Sequence, residues 1–251
     1  MLQTFAQGRL FGVRTGSSTP RVLALHGWRR THRDFDTVLG TGPSGGEGQP
    51  LDALAPDLPG FGATPPPPGV WGTDDYAELV AELLDEMEAP VVLLGHSFGG
   101  RVAVRLAAEH PERVAGAVLT GVPLVRLSAR RRPPARYRVT RQLHALGLVG
   151  DATMEAARRR HGSADYRAAE GIMRQVLVRT LAESYDDELD AITCPVTLVW
   201  GDDDAEVPLA VGERTAARLA HGELVVCPGA GHLTPLTVPG VLRRAVLGLL
   251  A

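Results

Sequence analysis

Short, almost uninterrupted apolar runs recur along this chain, each bounded by turn residues: Arg21–Leu25, Leu51–Leu58, Pro90–Leu94, Val114–Thr120, Cys194–Trp200 and Glu223–Cys227. A strand with one face in water alternates apolar and polar residues. A strand buried on both faces need not, so runs of this kind read as a parallel sheet covered on both sides. Between them, apolar residues return at helical spacing over Asp74–Met87, Gly99–His110, Leu209–Ala220 and Val238–Leu250. Strands alternating with helices predict an α/β fold with a doubly wound, mostly parallel sheet and ligand chemistry at the carboxyl ends of its strands. The 251 residues suffice for one such sheet around one main core.

One segment breaks the alternation. From Pro123 to Tyr185 the sequence is helical and arginine-rich with no convincing strand, which predicts a helical cap (123–185) inserted into a core made of 1–122 and 186–251. The chain has no lysine and no asparagine, a bias that GC-rich coding explains, so arginine abundance alone says little. Its distribution says more: the inserted segment carries 13 arginines against 5 carboxylates, and the remainder 13 against 24, within a net charge of −3. Gly40–Gly48 and Pro65–Pro68 read as loops, neither with the Gly-Lys-Ser pattern of a phosphate loop.

No apolar run approaches the roughly 18 residues that cross a bilayer, and Met1-Leu2-Gln3-Thr4-Phe5 has no charged-then-apolar leader pattern, so a soluble, cytoplasmic protein is expected. Nothing points to a nucleic-acid or membrane partner. Cys194 and Cys227 sit in separate strand-like runs and read as buried structural thiols, with no metal site and no cofactor expected.

The chemistry concentrates at Gly95-His96-Ser97-Phe98-Gly99, directly after one apolar run and directly before a helical one. A sharp strand-to-helix turn thrusts the serine hydroxyl out of the chain, and the flanking glycines allow close packing around the turn. Three further segments follow the same logic of strand-end loops: His26-Gly27-Trp28, Asp57-Leu58-Pro59-Gly60-Phe61-Gly62, and Trp200-Gly201-Asp202-Asp203-Asp204 with Gly229-Ala230-Gly231-His232. In this order the four segments resemble the α/β-hydrolase superfamily over nearly the whole chain. The resemblance implies Ser97 as nucleophile, His232 as base and Asp204 as the acid orienting it. Asp204 is the third residue after Gly201, with Pro208 completing the pattern, which leaves Asp202 and Asp203 as turn residues. It also implies an oxyanion hole from the backbone N–H groups of Trp28 and Phe98. Trp28, Phe61 and Trp71 are candidates for an apolar acyl pocket or for plain core packing, and Asp57 for a loop anchor.

A serine at the turn argues against the superfamily members that use aspartate there, and for acyl transfer through a serine ester. Within that group the motifs are similar to small carboxylesterases that include the pimeloyl-carrier-protein methyl ester esterases. That similarity implies a small-molecule ester (or thioester) substrate, and makes the basic cap, with Arg126, Arg130, Arg131, Arg132, Arg136 and Arg138, a candidate for docking an acidic acyl carrier protein or steering a carboxylated substrate. A solvated basic helix is the alternative for the same residues. Three other classes share the motifs: a lyase on this scaffold acting on an anionic substrate, a cofactor-free perhydrolase, and a ligand receptor.

Overall fold

The computed structural model describes residues 1–41, 49–88, 90–127, 134–161 and 164–251. Eight strands form one sheet: β1 (Gln3–Phe5), β2 (Leu10–Thr15), β3 (Val22–Leu25), β4 (Ala53–Asp57), β5 (Val91–His96), β6 (Val114–Thr120), β7 (Val196–Gly201) and β8 (Gly222–Cys227). Their order across the sheet is β1-β2-β4-β3-β5-β6-β7-β8, with β1 and β2 antiparallel to their neighbours and the rest parallel. The helices are α1 (Asp36–Leu39), α2 (Thr73–Ala81), α3 (Phe98–Glu109), α4 (Ala135–Ala145), α5 (Asp151–His161), α6 (Ala164–Ala168), α7 (Gly171–Ala182), α8 (Asp186–Ala191), α9 (Leu209–Arg218), α10 (Thr234–Thr237) and α11 (Pro239–Leu250).

Successive side chains of a strand point to opposite faces, so each central strand feeds two cores. Leu93 of β5, with Leu23, Leu25, Leu119, Leu198 and Trp200, joins the layer packed under α2 and α3 through Tyr76, Val80, Val102 and Leu106. Val92 and Leu94 of the same strand, with Val22, Ala24, Val118 and Val199, face Phe35, Val38, Leu242 and Val246 from α11 and the turns around α1. This double burial is why β3, β4 and β5 read as unbroken apolar runs. The periodic segment from Asp74 does not stay α-helical to Met87: α2 ends at Ala81 and tightens into a 3₁₀ stretch, Glu82–Glu86.

Between β6 and β7 the described chain is helical, α4 to α8. The end of α7 is fastened to the sheet layer by arginines. Arg101 of α3 donates to the Thr180 carbonyl (2.6 Å), Arg179 to the Val70 carbonyl (2.7 Å), and Arg126 to the Ala182 carbonyl (2.7 Å). Glu183 completes the joint by accepting from the Thr73 N–H (3.0 Å) at the start of α2.

Candidate active site

Ser97 stands at the junction of β5 and α3 with φ 49° and ψ −110°, a left-handed conformation that few side-chain-bearing residues adopt. Such strain costs roughly 1–3 kcal/mol and persists only where the surroundings enforce it. Here they do: the Ser97 N–H donates to the Thr120 carbonyl (2.9 Å), and the following helix presses so close to β3 that a Cβ at Gly99 would fall 2.1 Å from the Leu25 carbonyl oxygen. The turn leaves Ser97 half-exposed between fully buried neighbours, and among the described residues its hydroxyl makes no hydrogen bond.

Asp204 lies in the loop after β7 and His232 in the loop after β8. Asp204 Oδ1 accepts the N–H groups of Glu206 (2.9 Å) and Val207 (2.8 Å), which leaves Oδ2 free to take the His232 Nδ1–H at 2.8 Å. Burial pushes the Asp204 carboxyl up, but the His232 hydrogen bond and the two backbone donors outweigh it and hold the carboxyl below its ordinary value. Burial also pulls the His232 imidazole down, and the Asp204 hydrogen bond and charge outweigh that, leaving it above the ordinary histidine value. Gly121 lets the ring lie against the end of β6: a Cβ there would fall 2.8 Å from the His232 Cε1. Thr120, which anchors the Ser97 N–H, is the residue before it, so the imidazole and the serine turn share one strand end. Asp202 turns away to accept the Gly229 N–H (2.7 Å), and the Asp203 side chain is exposed.

The loop after β3 brings Trp28 beside Phe98, ring centroids 5.3 Å apart. Phe98 opens α3, where the first N–H groups of a helix have no partner within it. Among the described residues, neither the Phe98 nor the Trp28 backbone N–H has a hydrogen-bond acceptor. Phe61 packs edge-on against both rings (4.9 and 6.0 Å), so it belongs to the same apolar wall, whereas Trp71 packs edge-to-face with Tyr76 (5.4 Å). Asp57 holds its loop by accepting from the His32 N–H (2.9 Å) and the Ala63 N–H (2.9 Å). Residues of the inserted helices reach this wall: Tyr166, Ala169 and Leu177 pack around Trp28, and Met173 covers Gly60.

His26 and His96 are wholly buried supports. His26 donates from Nδ1 to the Gly27 carbonyl (2.8 Å) and accepts the Leu58 N–H at Nε2 (2.9 Å), tying two loops together. His96 donates from Nε2 to the His232 carbonyl (3.0 Å) and so fixes the backbone that carries the base candidate.

Arg130, Arg131 and Arg132 lie outside the described residues. Arg126 is engaged by backbone carbonyls at the joint after α7, while Arg136 and Arg138 are exposed on α4. Two carboxylates near the imidazole were not singled out by the motifs. Glu206 Oε2 lies 3.7 Å from His232 Nε2, and Asp165 of α6, paired with Arg29 at 3.8 Å, adds its charge. Glu206 follows Asp204 by two residues, but its approach depends on side-chain reach that the motif does not encode. Asp165 arrives from a segment 67 residues away from His232, and no local pattern marks it.

Among the described residues no group of three or more His, Cys, Asp or Glu side chains is arranged to hold a metal ion, and no helix is long and apolar enough to cross a membrane.

Sheet order and the serine turn define a class of protein, the α/β enzymes that work from loops at the carboxyl ends of a doubly covered sheet. Residues 22–245 match the model of the Alpha/beta hydrolase family, and the chain belongs to that family. It is similar to an esterase of Mycobacterium tuberculosis (30% identical, covering 97% of this chain and 87% of that protein). It is similar also to a pimeloyl-[acyl-carrier protein] methyl ester esterase of Neisseria meningitidis (30% identical, 84% of this chain and 85% of that protein). Among solved structures, a thermophilic esterase from Thermogutta terrifontis superposes with a TM-score of 0.67 at 24% identity, over 98% of this chain and 95% of that one, a likeness of fold.

Proposed function

We propose that this α/β hydrolase cleaves carboxylic esters (or thioesters) through an acyl-enzyme on Ser97, with His232 as base and Asp204 as the acid that orients it. The observation that carries the reading is the His232 imidazole held at 2.8 Å by a buried Asp204, at the strand end where the strained Ser97 turn exposes its hydroxyl. Ser97 Oγ attacks the substrate carbonyl as its proton passes to His232 Nε2. The oxyanion is received by the N–H groups of Trp28 and Phe98. As the tetrahedral species collapses, the C–O bond to the alcohol breaks and Nε2 returns the proton to the departing oxygen. Water then gives a proton to Nε2 and attacks the acyl carbon; as this second tetrahedral species collapses, the acyl C–Oγ bond breaks and Nε2 returns the proton to Ser97 Oγ, which frees the acid. The open Ser97 hydroxyl is compatible with this course, because such bonds tighten when substrate fills the site.

In this reading 123–185 is a cap over a core of 1–122 and 186–251, and its inner face, Tyr166, Leu177 and Met173, bounds the acyl pocket with Trp28 and Phe61. The exposed arginines of α4 and α5, Arg136, Arg138, Arg141, Arg158 and Arg160, favour a second element: substrates borne by an acidic carrier protein, as the name of the meningococcal relative suggests.

Hydrolysis of p-nitrophenyl esters from acetate to octanoate tests the core of the proposal. Ser97→Ala is expected to abolish turnover, Asp204→Asn to lower it about 10⁴-fold, the scale seen in a well-studied serine triad, and Asp203→Asn to change it little. A folded wild-type protein with no turnover, or with turnover that survives Ser97→Ala, overturns it.

A further inference from the structure

We infer that Glu206 sets the charge preference for the leaving group, so that esters of cationic alcohols are cleaved faster than matched esters of anionic ones. The inference rests on the assignment of His232 as the proton donor. In that role Nε2 must come within hydrogen-bond reach of the departing oxygen, whatever the rest of the substrate looks like. Glu206 Oε2 is 3.7 Å from that same nitrogen. The first atoms of any leaving group therefore pass beside a carboxylate, on the side of the imidazole opposite Asp204.

The other groups around the imidazole do not cancel this charge. Asp204 is buried and committed to Nδ1 and two backbone N–H groups. His96, with its ring 5.0 Å away, is held neutral by burial. Asp165 adds a second negative charge, which Arg29 offsets at 3.8 Å. What remains unbalanced is Glu206, whose side chain is 67% exposed and has no competing cation among the described residues.

The size of the effect follows from exposure. A charge about 6 Å from a largely solvated carboxylate gains or loses about threefold in rate, hence about tenfold between a cation and an anion at low salt, and much of this is screened by 0.5 M salt. The substrates are choline, 3,3-dimethylbutyl and isethionate esters of one acyl chain, the one preferred in the p-nitrophenyl series. They share a similar leaving-group size and differ in charge. Rates are followed by pH-stat and compared on the alkaline plateau of each variant's own pH–rate profile, so that a change in His232 protonation does not enter the ranking.

Wild type is expected to rank choline above 3,3-dimethylbutyl above isethionate in kcat/KM, with a spread near tenfold. Glu206→Gln is expected to bring the three within about twofold and to remove the salt dependence. An unchanged ranking in Glu206→Gln, or a wild-type preference for isethionate, overturns the inference while leaving the esterase reading intact. Loss of that reading is seen separately, as turnover that does not depend on Ser97.

Discussion

His26 and His96 give this protein an acid limit that is separate from the limit on its chemistry. Burial lowers them to about 4 and about 3 from an ordinary 6.5. Hydrogen bonding gives the same answer for His26: its Nε2 accepts the Leu58 N–H, and a proton there would set two donors against each other. Between the depressed values and 6.5 the unfolded chain binds protons that the folded one refuses, so stability falls as pH falls through this window. At pH 4.5 each histidine removes roughly 2–3 kcal/mol, out of a total typically 5–15. His232 acts with the opposite sign, since its raised value adds stability at low pH and loses it as pH rises, but it is one group and only part-buried. Asp204, held below its ordinary value, withdraws support only at still lower pH. The urea midpoint is therefore expected to drop markedly from pH 7 to 4.5, and His96→Gln, which keeps an N–H for the His232 carbonyl but cannot titrate, to flatten that drop. A midpoint indifferent to pH would sink the assignment. If His232 is the base, as proposed, catalysis should fail first, because its imidazole is held above the ordinary 6.5 and the fold weakens below it. At this scale Ser97, Asp204 and His232 were legible as candidates because each sits in a short loop motif, and the structure sets His232 on Asp204. The sequence did not expose Glu206 or Asp165, whose approach to the imidazole depends on side-chain reach and on how α6 docks.

Among elements, the decisive contact is between β3 and the start of α3, and Gly99 is its measure. An alanine Cβ there meets backbone, 2.1 Å from the Leu25 carbonyl oxygen and 2.5 Å from that of His26, so strand and helix must separate. The next glycine offers a comparison: the three atoms nearest a Cβ at Gly100 all belong to the buried Val122 side chain, the first at 2.2 Å, so the strain there falls on side-chain packing and not on the backbone of β3. Gly99→Ala is expected to cost about 3 kcal/mol or more, the upper end for overpacking. It should also suppress turnover, because the displaced backbone leads straight into Trp28. Gly100→Ala is expected to cost less in the same urea titrations, and equal losses would mean that the β3–α3 spacing is not what holds the turn. The elements easiest to see in the sequence were those buried on both faces. β1 and β2 escaped because they are antiparallel strands at one end of the sheet: β2, though paired on both sides, alternates buried with part-exposed residues over Leu10–Val13, and β1, the edge, has three residues with one buried. Neither makes a continuous apolar run. The break of α2 at Ala81 was equally silent, since a 3₁₀ turn keeps nearly the same apolar spacing.

For the whole molecule, the uneven distribution of charge coincides with an uneven distribution of attachment. The stretch from Pro123 to Tyr185 holds half of the 26 basic residues, and its parts are held to very different degrees. α7 buries Val176, Leu177 and Thr180 and is fastened by Arg101, Arg126 and Glu183. α4 buries no residue, and Val139, Leu146 and Leu148 along it and just after it are 52%, 72% and 70% exposed. Segments with so little buried apolar contact open at low free energy, whatever the global stability. Since the chain has no lysine and its 26 arginines are spread along it, trypsin samples this difference across the whole chain. Among the described residues its first cuts are expected in α4 and α5, at Arg136, Arg138, Arg141, Arg158 or Arg160, well before Arg101, Arg105 or Arg243, whose helices lie against the core. Mass spectrometry of a timed digest reads the order directly. A nicked product that keeps Ser97-dependent turnover of short esters but loses its chain-length preference would place the acyl pocket under this segment. A first cut within α3 or α11 would mean that attachment is uniform, and that α4 is held by something its exposed surface does not reveal.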